Sequence, residues 1–268
     1  MTSVLSLVER RLFDHIDQDE IGIEYGRAHG GRVQSFYQPI FAVGARGQLK
    51  LSALRAGCVL GGRVEDAAAI APVVAAPLAL RNFGYSGEEE LDLYLDQSIA
   101  GNWTSGELMQ CCGEGRPLDG LLPQPRRIFL EFSPQAKHMP APQGGQFRRA
   151  LVNEKPEDEL DAWIGRFRPS ILRVEGKWLA SLSRHAATRT LLATLTGALR
   201  RRGVKTLFEG LDNDALVELA MDCCADLVQG MTLARPILAG EDIDVRSINI
   251  RSEVISVDFK GRRKPSLV

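Results

Sequence analysis

The chain has 268 residues, the length of one large α/β barrel or of two small domains. Hydrophobic residues make up 44% and charged residues 25%, and the formal net charge is −1, which is typical of a globular protein with a sizeable core. So small a net charge gives no electrostatic basis for binding nucleic acid or a membrane surface. The longest apolar segment, residues 67–80, contains two prolines and is too short to span a bilayer.

In chain order, the first pattern is an amphipathic one. Apolar residues recur at helical spacing from Val4 to Ile16 and predict an opening helix within a lead-in over residues 1–32. Residues 33–40 and 49–54 predict two strands, and the loop between them is so short that the strands must pair antiparallel.

The rest of the chain alternates between helical and strand patterns. Helices are predicted over residues 64–80, 88–100, 158–167, 178–201 and 215–221. Strands are predicted over residues 127–132, 171–174, 204–208 and 227–231, with a marginal strand at 150–153. This alternation indicates parallel strands covered by helices, and so a single barrel-like α/β domain over residues 33–240. Residues 241–268 combine a strand-like extension, 248–259, with a basic tail.

The cysteines show no spacing typical of a metal site. They are Cys58, the pair Cys111–Cys112 and the pair Cys223–Cys224. We therefore expect reduced, buried thiols in a cytoplasmic chain.

Six short signatures occur in the order in which one protein family carries them. They are Tyr37-Gln38-Pro39-Ile40, residues 51–55 (Leu-Ser-Ala-Leu-Arg), residues 129–134 (Phe-Leu-Glu-Phe-Ser-Pro), residues 172–175 (Leu-Arg-Val-Glu), residues 208–212 (Phe-Glu-Gly-Leu-Asp), and residues 229–231 (Gln-Gly-Met) followed by Arg235-Pro236. Over residues 33–238 the chain thus resembles the EAL domains, which hydrolyse cyclic di-GMP. The resemblance implies an α/β, TIM-like barrel whose first two strands are antiparallel.

Active EAL domains, as the resemblance implies, use two divalent metals. They are held by the Glu of the family name, an Asn, a further Glu, an Asp pair and the Glu of a Glu-Gly signature, and a Lys orients the attacking water. The positions of this chain that fall on the altered signatures are Ser52 at the first Glu, Glu131 at the Asn, Arg173 at the Lys, Glu175 at the Asp that follows that Lys, and Asp212 at the end of the Glu-Gly signature. Glu209 alone is unchanged, and the Asp pair has no counterpart.

The segment between Ser133 and Ile171 is short for this family. The family fits two strand–helix units there, whereas one such unit takes about 30 residues and fills the available length. We therefore predict a barrel that is shortened or modified between residues 133 and 171 and lacks one strand. Its open edge would be covered by the opening helix, by residues 248–259 or by a second copy of the chain in a homodimer.

Several site residues leave two interpretations open. Glu131 lies in a buried strand and needs a partner, which makes it either a structural ion pair with Arg173 or Arg55, or a metal ligand. Asp212 either caps the following helix or belongs to the site. The resemblance implies ligand contacts for Gln38, Leu54, Arg55, Glu209, Gln229 and Pro236, while the alternative is hydrogen bonding within the barrel mouth.

The loss of metal ligands predicts a chain without catalytic residues or a bound metal cofactor. We expect an inactive EAL-like domain that acts through protein–protein contact in bacterial signalling. The alternative is a receptor that binds cyclic di-GMP without cleaving it, and an active phosphodiesterase is the third hypothesis.

Overall fold

The computed structural model describes residues 16–28, 31–44, 47–60, 63–64, 72–84, 90–100, 108, 124–134, 147–153, 159–182 and 186–241. The predictions for residues 1–15, for Cys111 and Cys112, and for the C-terminal extension lie outside these ranges. Ile16, the last residue of the predicted opening helix, begins the first strand instead. The chain forms two compact units, residues 1–38, 54–148 and 236–243 in the first, and residues 39–53, 149–235 and 244–268 in the second.

The strands of the chain are numbered in order. They are β1 (Ile16–Gln18), β2 (Glu24–Ala28), β3 (Gly31–Val43), β4 (Leu49–Leu60), β5 (Arg63–Val64), β6 (Asp92–Leu95), β7 (Ile128–Phe132), β8 (Arg148–Asn153), β9 (Ile171–Glu175), β10 (Lys205–Glu209), β11 (Leu227–Val228) and β12 (Ile237–Leu238). The helices are α1 (Pro72–Phe83), α2 (Gln97–Ala100), α3 (Leu160–Phe167), α4 (Gly176–Leu182), α5 (Ala186–Arg201) and α6 (Asp214–Asp222), with a 3-10 turn at Pro125–Arg127.

In the first unit, short antiparallel strands surround the start of β3. β1 pairs with β2, β2 pairs with the first residues of β3, and β12 pairs with β3 at Tyr37 and Phe36. Helix α1 begins at Pro72, where the missing N–H costs nothing because a first-turn N–H has no intrahelical partner. The side-chain amide of Asn82 on this helix bonds both the N–H and the carbonyl of Glu24, at 2.9 and 2.7 Å, and so attaches β2 to α1. In the same unit β6 runs parallel to β7.

In the second unit, parallel strands follow one another with helices between them. β8 pairs with β9, β9 with β10 and β10 with β11, all parallel. The end of β3 closes this series as the antiparallel partner of β11. At the two ends of the loop after β3, the Gly44 N–H donates to the Gln48 carbonyl at 2.8 Å.

Most predicted elements are present, but one changes its type. The helix predicted over residues 88–100 is wrong, because residues 92–95 form strand β6 and residues 97–100 form the short helix α2. Leu93, Tyr94 and Leu95 are fully buried, and a short apolar run buried on both faces carries neither the period of a helix nor that of a half-exposed strand. Elsewhere α1 begins at residue 72 rather than 64, the helix predicted over 178–201 is described as α4 and α5, and β11 ends at Val228.

Strand β6 also changes the strand count. Of the twelve described strands, eight, β3, β4 and β6 through β11, belong to the barrel, and none of them comes from the C-terminal extension. Between Ser133 and Ile171 they hold one strand, β8, and one helix, α3, as the length predicts. The prediction of an incomplete barrel is nevertheless wrong, since the eighth strand lies earlier in the chain, at β6.

The buried thiols give a testable expectation. Burial raises the pKa of Cys58 from 9.0 to about 12, and burial together with the Asp222 charge raises the pKa of Cys223 to about 12. Below pH 9.0 these neutral thiols stabilise the folded state, and that contribution is lost as the pH rises toward 12, because the thiols of the unfolded chain ionise first. We expect alkylation of Cys58 and Cys223 at neutral pH to be slow in the native chain and fast in urea, as mapped by mass spectrometry. Equal native and unfolded rates at Cys58 would contradict this.

Candidate functional site

Two carboxylates lie side by side where β6 and β7 end in the first unit. The register pairs Leu93 with Ile128, Tyr94 with Phe129 and Leu95 with Leu130, so the next position brings Asp96 beside Glu131. The Glu131 side chain is fully buried, and that of Asp96 is 27% exposed. Two neighbouring carboxylates repel each other, most strongly where water is excluded, and therefore need a positive charge close by.

Arg55 on strand β4 supplies that charge. Its Nη2 atom lies 2.6 Å from Asp96 Oδ2 and 3.2 Å from Glu131 Oε2, so one guanidinium nitrogen contacts both carboxylates. The ion pair that the sequence predicts for Glu131 is confirmed for Arg55, one of the two partners expected. We call Arg55, Asp96 and Glu131 the Arg55 cluster.

A second arginine–glutamate pair forms in the second unit. Strands β9 and β10 are parallel neighbours, and Arg173 and Glu209 lie two positions apart in their register, so both side chains fall on one face. Arg173 Nε lies 2.9 Å from Glu209 Oε1, and each side chain is only about an eighth exposed, at 12% and 13%. The carboxylate that the sequence analysis matched to the Glu-Gly signature therefore pairs with an arginine. We call these two residues the Arg173 pair.

Glycines allow the backbone around Glu209 to pack closely. A Cβ atom on Gly176 would stand 2.6 Å from the Glu209 carbonyl, and one on Gly230 would stand 2.2 Å from the Leu211 carbonyl. The Leu211 N–H donates to the Gln229 carbonyl at 3.1 Å, and the Gln229 N–H donates to the Phe208 carbonyl at 2.9 Å. These contacts hold the loop after β10 and the segment after β11 against each other, which fixes the backbone of Glu209.

The remaining predicted positions occupy varied environments. Leu54 and Gln229 are buried, at 0% and 1% exposure, whereas Gln38, Ser52 and Glu175 are half-buried and Pro236 is exposed. Within the second unit, Glu175 is the Cα partner of Glu209 on the adjacent strand.

Asp212 does not cap helix α6. The cap is its neighbour Asn213, whose Oδ1 accepts from the Leu216 N–H at 3.0 Å, while Asp212 Oδ1 accepts from the Met231 N–H at 3.3 Å. An N-cap side chain must reach the N–H groups two or three residues ahead, and Asn213 is the residue one position before the first helical turn. The capping alternative for Asp212 is therefore wrong.

Asp96 is the site residue that the sequence analysis missed. It directly follows β6, and the helix predicted there gave no reason to place it at a strand end. The available signal was that Asp92 and Asp96 flank an apolar run of three residues, as expected for a short buried strand bounded by polar residues. Among the described residues, no group of three or more His, Cys, Asp or Glu side chains is arranged to hold a metal ion.

Comparison with known proteins finds similarity in structure alone. No family model matches the chain, and no curated protein matches it in sequence. The YkuI protein of Bacillus subtilis, solved with an EAL domain in complex with its substrate cyclic di-GMP and calcium, superimposes with a TM-score of 0.63 at 14% identity, over 83% of this chain and 60% of that chain.

Two further solved structures are similar. The phosphodiesterase PaMucR, in complex with cyclic di-GMP, gives a TM-score of 0.58 at 13% identity, over 76% of this chain and 92% of that chain. Klebsiella pneumoniae BlrP1, in a complex with calcium and cyclic di-GMP, gives 0.56 at 18% identity, over 79% of this chain and 57% of that chain. This chain thus spans about 60% of the length of the YkuI and BlrP1 chains.

Among the described helices, none combines the length and apolarity that crossing a bilayer requires.

The fold follows from the eight strands, from their alternation with helices and from the superposition on the three solved structures. The chain has the α/β, TIM-like fold of EAL domains.

Proposed function

We propose that this chain is a catalytically inactive EAL-like domain that works as a regulatory protein–protein interaction module in bacterial signalling, in the cytoplasm. The observation that carries the proposal is that an arginine pairs with each of two glutamates, the buried Glu131 and the partly exposed Glu209, which a metal centre of this family would use.

The strand count supports an assignment to the family pattern that differs from the one drawn from sequence. β6 lies between the strand of Ser52 and the strand of Glu131, so it takes the place of the family's Asn strand, with Asp96 at its end. Glu131 then falls at the family's further Glu, and β8, which ends in Val152-Asn153, takes the place of the strand with the Asp pair. The first Glu and the Asp pair are thus replaced, while Glu131 and Glu209 are retained.

The residues present do not fit a two-metal centre. Two metals about 3.5–4 Å apart need several carboxylates whose oxygen lone pairs point at the cations. Ser52 offers a neutral hydroxyl, and Val152 offers no ligand atom. Asp96, Glu131 and Glu209 have arginine nitrogens at 2.6, 3.2 and 2.9 Å, respectively. The positive charge of each arginine would repel a metal cation that approached the same carboxylate.

The Lys position gives independent support for inactivity. Arg173 stands there, and an arginine does not give up its proton at neutral pH, so it cannot accept one from an attacking water. The Arg173 guanidinium also forms an ion pair with Glu209, which orients its Nε toward a carboxylate.

A receptor for cyclic di-GMP that does not hydrolyse it is the second candidate. The similar proteins were solved with cyclic di-GMP, and Gln38, Leu54 and Arg55 stand where the family contacts its ligand. Two carboxylates beside Arg55 oppose this, because a phosphate would have to compete with them for the guanidinium and would be repelled by them. We therefore place a protein partner ahead of a nucleotide. The open sheet edge that predicted a homodimer is filled by β6, so the proposed partner is a different protein.

We expect no hydrolysis of cyclic di-GMP by the full chain in the presence of Mg²⁺ or Mn²⁺, because the first Glu, the Lys and the Asp pair are all replaced. Loss of substrate is followed by chromatography, with Glu209→Gln as the matched variant. Wild type and Glu209→Gln should give the same baseline. Turnover that depends on metal and disappears in Glu209→Gln would show that the chain is an enzyme.

We expect weak or absent binding of cyclic di-GMP in titration calorimetry, with and without Mg²⁺. The reason is that the Arg55 guanidinium already forms ion pairs with Asp96 and Glu131. A dissociation constant near about 1 μM, or about −8 kcal/mol, would instead establish the receptor function. In that case Arg55→Ala should weaken binding, whereas Arg27→Ala, which removes an exposed arginine of the same unit, should leave it unchanged.

A further inference from the structure

Four basic residues of the second unit lie where strands β8, β9 and β10 begin. Arg149 is in the first turn of strand β8 and Lys205 begins β10, and Ser170, just before β9, bonds to both. The Ser170 N–H donates to the Arg149 carbonyl and the Lys205 N–H donates to the Ser170 carbonyl, both at 2.9 Å. Arg166 and Arg168 occupy the last turn and the C-cap of α3, from which the chain leads into β9. We call Arg149, Arg166, Arg168 and Lys205 the basic rim.

Described carboxylates do not balance the charge of the basic rim. Arg149 is half-buried, and the other three residues are exposed. Within the part of the chain that the structure describes, none of the four forms an ion pair, whereas Arg202, which follows α5, pairs with Asp161. Partial burial and the nearby charge of Arg168 lower the pKa of Arg149. Like charges are therefore held close together, which costs stability.

Arg168 also has a backbone conformation that its side chain disfavours. Its φ is 45° and its ψ is 55°, the left-handed region in which helices usually end with a glycine. An L side chain is crowded there, so a glycine would end α3 with less strain. The dipole of α3 favours a cation at this end, but it does not account for Arg149, which lies on a strand. Stability of the fold is thus a poor explanation for a repelling arginine at this position.

We propose that the basic rim docks an acidic segment of a protein partner, rich in Asp and Glu. This rests on the proposed function, in which the chain acts through protein–protein contact, and assigns a surface and a chemistry to that contact. Three of the four residues are arginines, whose planar fork matches a carboxylate. Arginine is enriched at protein interfaces and lysine is depleted there. Lys205 begins β10 and Glu209 ends it, so the basic rim lies at the other end of this strand from the Arg173 pair.

A nucleic acid fits the basic rim less well than an acidic peptide does. Four cations are fewer than the roughly 6–10 phosphate contacts of a typical DNA-binding protein. Single-stranded nucleic acids also need exposed rings on which bases stack. Phe167 adjoins the basic rim, but it is buried, with the Arg166 Cζ atom 5.0 Å from its ring centroid.

The test is fluorescence anisotropy of a labelled oligoglutamate peptide titrated with the full chain. We expect binding that weakens as NaCl is raised, because salt screens exposed charges. Arg168→Gly and Lys205→Gln should each weaken binding by about fivefold. The Tm of Arg168→Gly should stay the same or rise, because glycine relieves the left-handed strain and the repulsion of Arg149. The matched control, Arg27→Ala, removes an exposed arginine of the first unit and should leave the affinity unchanged.

Three results would overturn the proposal. The first is no binding of the peptide by the wild type, or equal affinities for the wild type and both variants of the basic rim. The second is a lower Tm of Arg168→Gly with unchanged binding, which would assign the arginine to the fold. The third is tighter binding of a single-stranded DNA oligonucleotide of the same charge, which would make the surface a nucleic-acid site. Failure of the proposed function is distinguishable, because it appears as metal-dependent turnover of cyclic di-GMP.

Discussion

The parallel register of β6 and β7 is the constraint from which the chemistry of the first unit follows. It places the end of one strand beside the end of the other, and the sequence puts a carboxylate at each end, Asp96 and Glu131. Burying one of these charges next to the other costs several kcal/mol unless an opposite charge is in contact with both. Arg55 meets that requirement with a single nitrogen. The same relation recurs in the second unit, where Glu209 on β10 is matched by Arg173 on β9.

Supplying the counter-charge with arginine rather than with metal has physical consequences. A guanidinium is covalently attached, so the charge balance does not depend on the concentration of free cations. It is also a planar hydrogen-bond donor that cannot coordinate a water and lower its pKa as a divalent cation does. Pairing of this kind is compatible with the proposed function, in which a chain with the α/β, TIM-like fold does not hydrolyse cyclic di-GMP.

The sequence predicts the fold better than it predicts the site. The alternation of patterns and the ordered signatures lead to the correct α/β barrel, because strands such as β9 and β10 are apolar runs ended by charged residues. β6 escapes detection, since three of its four residues, Leu93, Tyr94 and Leu95, are buried and leave no exposed face to set a period. That single error shifts the family assignment of Glu131 and hides Asp96. A buried carboxylate such as Glu131 predicts that a partner exists, but that Arg55 contacts it depends on which strands are neighbours, and that is tertiary information. The N-cap of α6 is a smaller example of a role that sequence alone does not determine. Asp212 and Asn213 are adjacent and chemically similar, but only Asn213 lies where its side chain can cap the helix.

The central claim is that arginines hold the retained carboxylates in place of metals, and a double-mutant cycle on Arg173 and Glu209 tests it most directly. The free energy of unfolding is measured for the wild type, Arg173→Met, Glu209→Gln and the double variant in metal-free buffer. The account predicts a coupling free energy of at least about 1.5 kcal/mol, because both side chains are largely buried at a 2.9 Å contact. The exposed pair Arg27–Asp17, with side chains 70% and 48% exposed, should give a much smaller coupling in the same cycle, because solvent screens it. A coupling for Arg173–Glu209 no larger than that of the exposed pair would contradict the account.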